Sequence, residues 1–169
     1  MGVREMTERE SREVLAHRNV GHLACVHDNR PYVVPVHYAF DGEKLYVFSL
    51  AGQKVDWMRS NPNACLQVEE SGERHRWRSV LVQGTYEELP DTAEQHNERL
   101  HAWSLLQKRP LWWEPGSSKP GTDSEGKETP IFFSISIAQG IGRVLNGAYA
   151  LKSRQVCTSG GDHVCRDMR

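Results

Sequence analysis

A small β-barrel with peripheral helices is the fold class this sequence predicts, and three observations predict it. Runs that alternate apolar and polar residues recur along the chain, turn signals join consecutive runs, and helical patterns are few and short. Short turns between neighbouring strands make antiparallel connections, and closing such a sheet removes its exposed edges. A length of 169 residues fits one domain with a real core, with or without a tail. The formal net charge of −1 gives no reason to expect nucleic acid or an anionic membrane as a partner. No apolar run approaches the roughly 18 residues of a spanning helix. The charged start, "MGVREMTERESREV", lacks the apolar centre of a secretory signal. A soluble, cytoplasmic protein is the expectation.

The elements follow in order. Thr7 and Glu10 form a capping-box pattern, which starts a first helix near Glu8. With Val14 and Leu15 as its few apolar positions, that helix is expected on the surface. "VGHLACVHDNRPYVVPVHYAFDGEKLYVFS" carries two turn signals, "HDNR" and "DGEK", and reads as a three-stranded meander. In its second strand Tyr32, Val34, Val36, Tyr38 and Phe40 share one face, and Val33, Pro35, His37 and Ala39 share the other. Both faces are largely apolar, so burial on both sides is expected. Pro35 has no N–H, which marks an edge, a bulge or a place where something other than a strand lies alongside. "AGQKVDWMRSNP" is a short helix stopped at Asn61-Pro62. "NACLQVEE" and "WRSVLVQGTYEEL" return to strand, the latter bending at Gly84. Pro90, Asp91 as N-cap and Glu94 start a third helix, with Leu100, Trp103 and Gln107 as its buried stripe. A Gly-, Pro- and Ser-rich loop, 114–130, is expected to be mobile, and "IFFSISIA" is the last strand. A tail over 144–169 shows no firm element.

One stretch carries chemistry. In "YVFSLAGQKVDWMRS" a strand hands over to a helix through Gly52, with Ser49 before the turn and Lys54 in the first helical turn. A helix start leaves backbone N–H groups unpaired and carries partial positive charge. Glycine lets the backbone turn sharply or come close to a ligand. Together with the hydroxyl and the ammonium these are the parts of a phosphate cradle. The alternative is that Ser49 caps the helix and Lys54 is a solvated lysine. His37 is open to two readings, a hydrogen-bond donor to a ligand or a satisfied histidine in a barrel wall. His22 and His27 read as surface or structural, Trp57 and Met58 as core, and Glu69-Glu70 and Glu87-Glu88 as solvated. Cys25 and Cys65 read as small apolar strand residues. Cys157 and Cys165, flanking "TSGGDHV", lack zinc-site spacing, so no metal is expected.

"VGHLA", "PYVVPV", the G-x-K corner, "NPNACL" and "RSVLVQG", in this order and spacing, resemble the pyridoxamine 5′-phosphate oxidase-like FMN-binding split barrels. The nearer branch is that of nitroimidazole-resistance and flavin-nucleotide-binding proteins. The resemblance runs from about residue 8 to 143, which sets the domain at 1–143. It implies a six-stranded antiparallel split β-barrel, a homodimer, and two FMN molecules at the subunit interface. By that resemblance Pro35, Val36 and His37 lie along the isoalloxazine, while Phe48 and Ser49 border the ring and ribityl chain. Gln53 and Lys54 meet the phosphate, and Gln67 reaches the ribityl chain or ring. Arg78 and Ser79 lie near the phosphate end, and Trp112 and Trp113 cover the ring from the partner subunit.

The function so implied is an FMN-dependent oxidoreductase acting on a small molecule, with reduced nicotinamide as donor. The alternatives are a non-catalytic flavin- or nucleotide-binding module, a deazaflavin in place of FMN, and a haem-binding split barrel with His22, His27 or His37 as candidate axial ligand. The oxidase's C-terminal arginine-bearing segment has no match here, which argues against vitamin B6 oxidation. "YVFSLAG" also lacks the histidine that nitroimidazole-resistance proteins often carry before the G-x-K corner.

Overall fold

Apolar alternation on strands too short to be stable alone forces this chain to close its sheet, and the order of strands shows how. The computed structural model describes residues 2–71, 76–108 and 130–146. The strands are β1 (Gly2–Glu5), β2 (Val20–His27), β3 (Arg30–Phe40), β4 (Lys44–Ser49), β5 (Asn63–Ser71), β6 (Arg76–Glu88) and β7 (Ile131–Asn146). The helices are α1 (Glu8–His17), α2 (Gln53–Ser60) and α3 (His96–Leu106). The sheet order is β1-β7-β4-β3-β2-β5-β6, and β6 pairs with β7 to complete the ring. Six strands thus form a closed antiparallel barrel, as expected, and β1 is an added strand. β7 is the longest strand and gives one edge first to β4, from Ile131 opposite Ser49, and later to β1, from Arg143 opposite Glu5. No helix among the described residues is long and apolar enough to cross a membrane.

Local chemistry sets the turns. Asp28 and Asn29 both take positive φ (48° and 59°), the left-handed pair that lets a two-residue hairpin follow the strand twist. Asp41 accepts from the amides of Glu43 and Lys44, which fixes the next turn. At Gly84 the β6–β7 register shifts. A Cβ there would collide with the carbonyl oxygen of Ser136 and lie 2.7 Å from Cγ2 of Ile135, so two backbones meet where only glycine fits. The bend expected at Gly84 is present.

Two apolar clusters result. The barrel interior holds Leu23, Val36, Tyr38, Leu45, Val47, Met58, Leu66, Val68, Val80, Val82, Phe133 and Ile135. A second cluster, Ala39, Tyr46, Leu89, Ala102, Leu106 and Phe132, lies beneath α3 on the outer wall. Period-two alternation therefore sends Leu45 and Val47 inward and Tyr46 outward under the helix.

Several expectations need correction. α1 does not merely lie on the surface. Its two apolar residues, Val14 and Leu15, are buried in the barrel core, and the Tyr38 hydroxyl donates to the Leu15 carbonyl at 2.9 Å. The capping box is formed, with the Glu10 carboxylate accepting from the Thr7 amide at 2.8 Å. Asp91 does not cap α3, which starts after Gln95. Its carboxylate lies 3.2 Å from Nδ1 of His96 instead, and tight turns at residues 90–95 precede the helix. The buried stripe of α3 is Arg99, Ala102 and Leu106, while Leu100 is exposed, because the outer wall meets the helix on that side. The last strand continues beyond residue 138 to Asn146, since β6 supplies a partner along its whole length. The acidic pairs are not simply solvated: Glu70 pairs with Arg78 and with Arg18, and Glu88 pairs with Arg59. β3 is buried on both faces only towards its end, because α3 covers Ala39 while Val33 stays 58% exposed. Most of the loop expected to be mobile, and the cysteines at 157 and 165, lie outside the described residues.

Gly84→Ala is expected to lower stability by about 1–3 kcal/mol, the usual cost of forcing extra volume into a packed site. Urea unfolding read by circular dichroism measures it, and an unchanged midpoint would show that the bulge relaxes freely.

Candidate functional site

The strand-to-helix corner is built by three features in sequence. β4 ends at Ser49, which is buried and donates its hydroxyl to the Leu50 carbonyl at 2.8 Å, so it does not cap α2. Gly52 takes the N-cap position with φ +156° and ψ −179°, a backbone region that essentially only glycine adopts. A Cβ at Gly52 would meet nothing within 4 Å, so the space before the helix is open. The carbonyl of Gly52 accepts from the amides of Val55 and Asp56 at 2.9 and 3.1 Å. The amides of Gln53 and Lys54 have no acceptor among the described residues.

Lys54 completes the corner. Its ammonium has no ion-pair partner among the described residues, and burial pushes its pKa below the ordinary lysine value. The acidic side chain of the first turn, Asp56, lies 3.6 Å from Arg59. A half-buried cation, two free amides and an open approach form a site suited to a phosphate-type anion.

A second feature lies on the outer face of the barrel. Cross-strand registers put His22 opposite both Pro35 and Gln67, Val20 opposite His37, Gln67 opposite Leu81, and Glu69 opposite Ser79. Period two sends these side chains to one surface. Val33, Val20 and Leu81 are exposed there, an apolar floor with a polar line across it. That line is hydrogen-bonded: His22 Nδ1 lies 3.1 Å from Gln67 Oε1, and Gln67 Nε2 lies 3.0 Å from Ser79 Oγ.

Between corner and face the barrel splits. The β3–β4 ladder runs only from Phe40 opposite Leu45 to Tyr38 opposite Val47. Residues 30–37 pair with β2 alone among the described residues, and Pro35 sits in that one-sided stretch. The edge position suggested by its missing N–H is the one observed.

The sequence-derived candidates therefore fall into groups. Ser49, Gln53 and Lys54 meet at the corner. Pro35, Gln67 and Ser79 share the outer face, and His37 is buried on the same side of β3. Val36 turns its side chain into the barrel core, leaving only its backbone for a ligand. Phe48 is half-buried against Phe132, with ring centroids 6.0 Å apart. Arg78 is committed to Glu70, and it lies opposite Val144, at the far end of β7 from the Ser49–Ile131 pair. Arg78 and the Lys54 corner are thus not neighbours within the chain. Trp112 and Trp113 lie outside the described residues.

Two residues escaped sequence reasoning. His22 belongs to the polar line, and only the β2–β5 register reveals it. Arg99 is buried, donates to the Leu89 carbonyl at 2.7 Å and stacks 4.5 Å above the Phe132 ring, beside a cavity of about 210 Å³. Nothing in "HNERLHAWSLL" distinguishes that arginine from a solvated one.

Comparison with known proteins places this geometry. Residues 7–144 match the family model described as pyridoxamine 5′-phosphate oxidase. An uncharacterized protein of Rhizobium meliloti (strain 1021) is 48% identical over 144 residues, covering 85% of this chain and 95% of the relative. The crystal structure of an FAD-binding protein from Mesorhizobium loti is 45% identical, with a TM-score of 0.74, over 86% of this chain and all 100% of that one. A structure described as a candidate 5-nitroimidazole antibiotic resistance protein, from Bacteroides thetaiotaomicron, shares the fold at 18% identity, with a TM-score of 0.66 over 85% of this chain and 89% of that one. By the family model that spans most of its length and by relatives at 45–48% identity, this chain belongs to the pyridoxamine 5′-phosphate oxidase family.

Proposed function

We propose that this protein binds a flavin, FMN, at the interface of a homodimer and acts as an oxidoreductase on a small molecule. The observation that carries the reading is the Lys54 corner, a half-buried cation with no counter-ion among the described residues, beside two free amides and an open approach. A phosphate monoester satisfies all three. The outer face supports the rest of the cofactor: an isoalloxazine needs an apolar floor with a few polar groups aimed at its heteroatoms. Val33, Pro35 and Leu81 offer the floor, and Gln67 and Ser79 offer the polar groups.

When bound, a flavin would supply two-electron redox chemistry, with a reduced nicotinamide as the donor class. The chain's own part is placement. Lys54 and the α2 amides fix the phosphate, the outer face holds the ring, and exclusion of water strengthens each polar contact. No acid or base at the site is assigned, so orientation and tuning of the ring carry the catalysis.

The dimer follows from the same surface. Val20 on β2, Val33 on β3 and Leu81 on β6 are exposed on one face of the sheet, apolar surface that a second copy would cover.

Lys54→Ala is expected to weaken FMN binding by about 1.5–3 kcal/mol, the scale of one hydrogen bond to a charged group, as read by calorimetric titration. Unchanged affinity would place the phosphate elsewhere. Affinity also depends on pH with a definite sign. Burial lowers the lysine pKa in the free protein and an anion raises it in the complex, so binding is full below the free-protein pKa and declines as pH rises through it. Val33→Asp is expected to convert the dimer to monomer in light scattering, and a wild type that is already monomeric would remove the interface site. A wild type that binds FMN tightly, yet whose visible absorption NADH and NADPH never bleach, would favour the non-catalytic module. The mass of the released chromophore separates FMN from FAD, a deazaflavin and haem.

A further inference from the structure

We infer that His22 is a positioning residue of the flavin site, setting the direction of the hydrogen-bonded line that Gln67 and Ser79 present to the ring. The inference rests on the flavin reading above and adds a residue to it. Gln67 Nε2 lies 3.0 Å from Ser79 Oγ and 3.5 Å from a Glu69 carboxylate oxygen. A carboxylate only accepts hydrogen bonds, so the amide nitrogen must be the group that faces it. The amide oxygen is then the atom 3.1 Å from His22 Nδ1, and His22 must donate through Nδ1–H.

Direction follows along the whole line. His22 donates to Gln67, Gln67 donates to Ser79, and the Ser79 hydroxyl keeps its own proton free to donate outward. The polar line therefore offers a hydroxyl donor on β6, which a carbonyl oxygen on the pyrimidine edge of a flavin can accept, with the amide of Gln67 fixed beside it. Without His22 the nitrogen of the Gln67 amide still faces Glu69 and Ser79, but its oxygen loses the contact that holds the amide in place over the sheet.

The setting suits this role. His22 lies between Pro35 and Gln67 in the register, on the face assigned to the ring and not inside the core. Gly21 packs directly against the Gln67 carbonyl, a Cβ there coming within 3.0 Å, so the two strands are held close where the side chains meet.

The test uses the full-length chain and FMN. His22→Ala is expected to weaken FMN binding about tenfold, the loss of one hydrogen-bonded constraint, and to move the visible bands of the bound flavin towards those of free FMN. His22→Asn, whose side-chain N–H can replace Nδ1–H, is expected to restore both. A His22→Ala protein with wild-type affinity and spectrum overturns the inference, as does an Asn variant no better than Ala. Nitrogen NMR of the wild type reads the tautomer directly, so a variant that fails to fold does not block the test. Nδ1–H is expected, and Nε2–H overturns the inference. A wild type that takes up no FMN overturns the flavin reading and this one together, whereas binding with no effect of His22 overturns this one alone.

Discussion

Beyond Tyr38 and Val47 the backbones of β3 and β4 part, and the rest of the site depends on that divergence. Backbone N–H and C=O groups demand partners, so a barrel strand that loses its neighbour needs another solution. Here β3 continues as a partner of β2 alone and places Pro35, which has no N–H to satisfy, in the one-sided stretch. β4 meanwhile keeps β7 as its partner to Ser49 and then turns through Gly52 into α2. The split therefore leaves an opening whose one wall is a sheet edge and whose other is the start of a helix.

Burial and charge explain why the opening suits an anion. Placing a lysine half inside the protein costs free energy because its ammonium loses water, and the lowered pKa is the sign of that cost. Several other cations among the described residues are paired. Lys44 meets Glu98 at 2.6 Å, Arg59 meets Glu88 at 2.8 Å, and Arg4 meets Glu10 at 2.5 Å, which holds the Glu10 carboxyl at about 2. Such exposed or half-exposed pairs add little stability each. Lys54, by contrast, has no ion pair among the described residues.

The outer wall shows a division of labour along single strands. On β3 the same outward row runs from exposed Val33 through Pro35 to buried His37 and Ala39, because α3 covers only the later part. The ion pair between Lys44 and Glu98 and the contact between Asp41 and His101, at 3.3 Å, hold α3 over that part. What α3 leaves bare is the apolar floor with its polar line. Helix and bare sheet thus partition one surface into core and site.

Much of this was legible in the sequence because it is local. Capping by Thr7 and Glu10, the Asp28-Asn29 turn, the stop at Asn61-Pro62 and the alternation of β3 all depend on residues a few positions apart, where backbone sterics and period-two geometry decide. So does the corner, since Gly52 and Lys54 are neighbours in the chain. What the sequence left undecided depends on partners distant along it. Val14 and Leu15 look too few to bury a helix until the barrel interior is seen to receive them. The strand that ends β7 at Asn146 looks irregular until β6 lies alongside, and β1 becomes a strand only because β7 offers an edge. His22, Gln67 and Ser79 are separated by 45 and 12 residues and meet only through cross-strand register. Composition and short-range pattern thus determined most of the elements and the strand-to-helix corner of this protein. Tertiary structure alone decided which side chains face one another across the sheet, because register is set by the pairing of whole strands and not by any stretch within one.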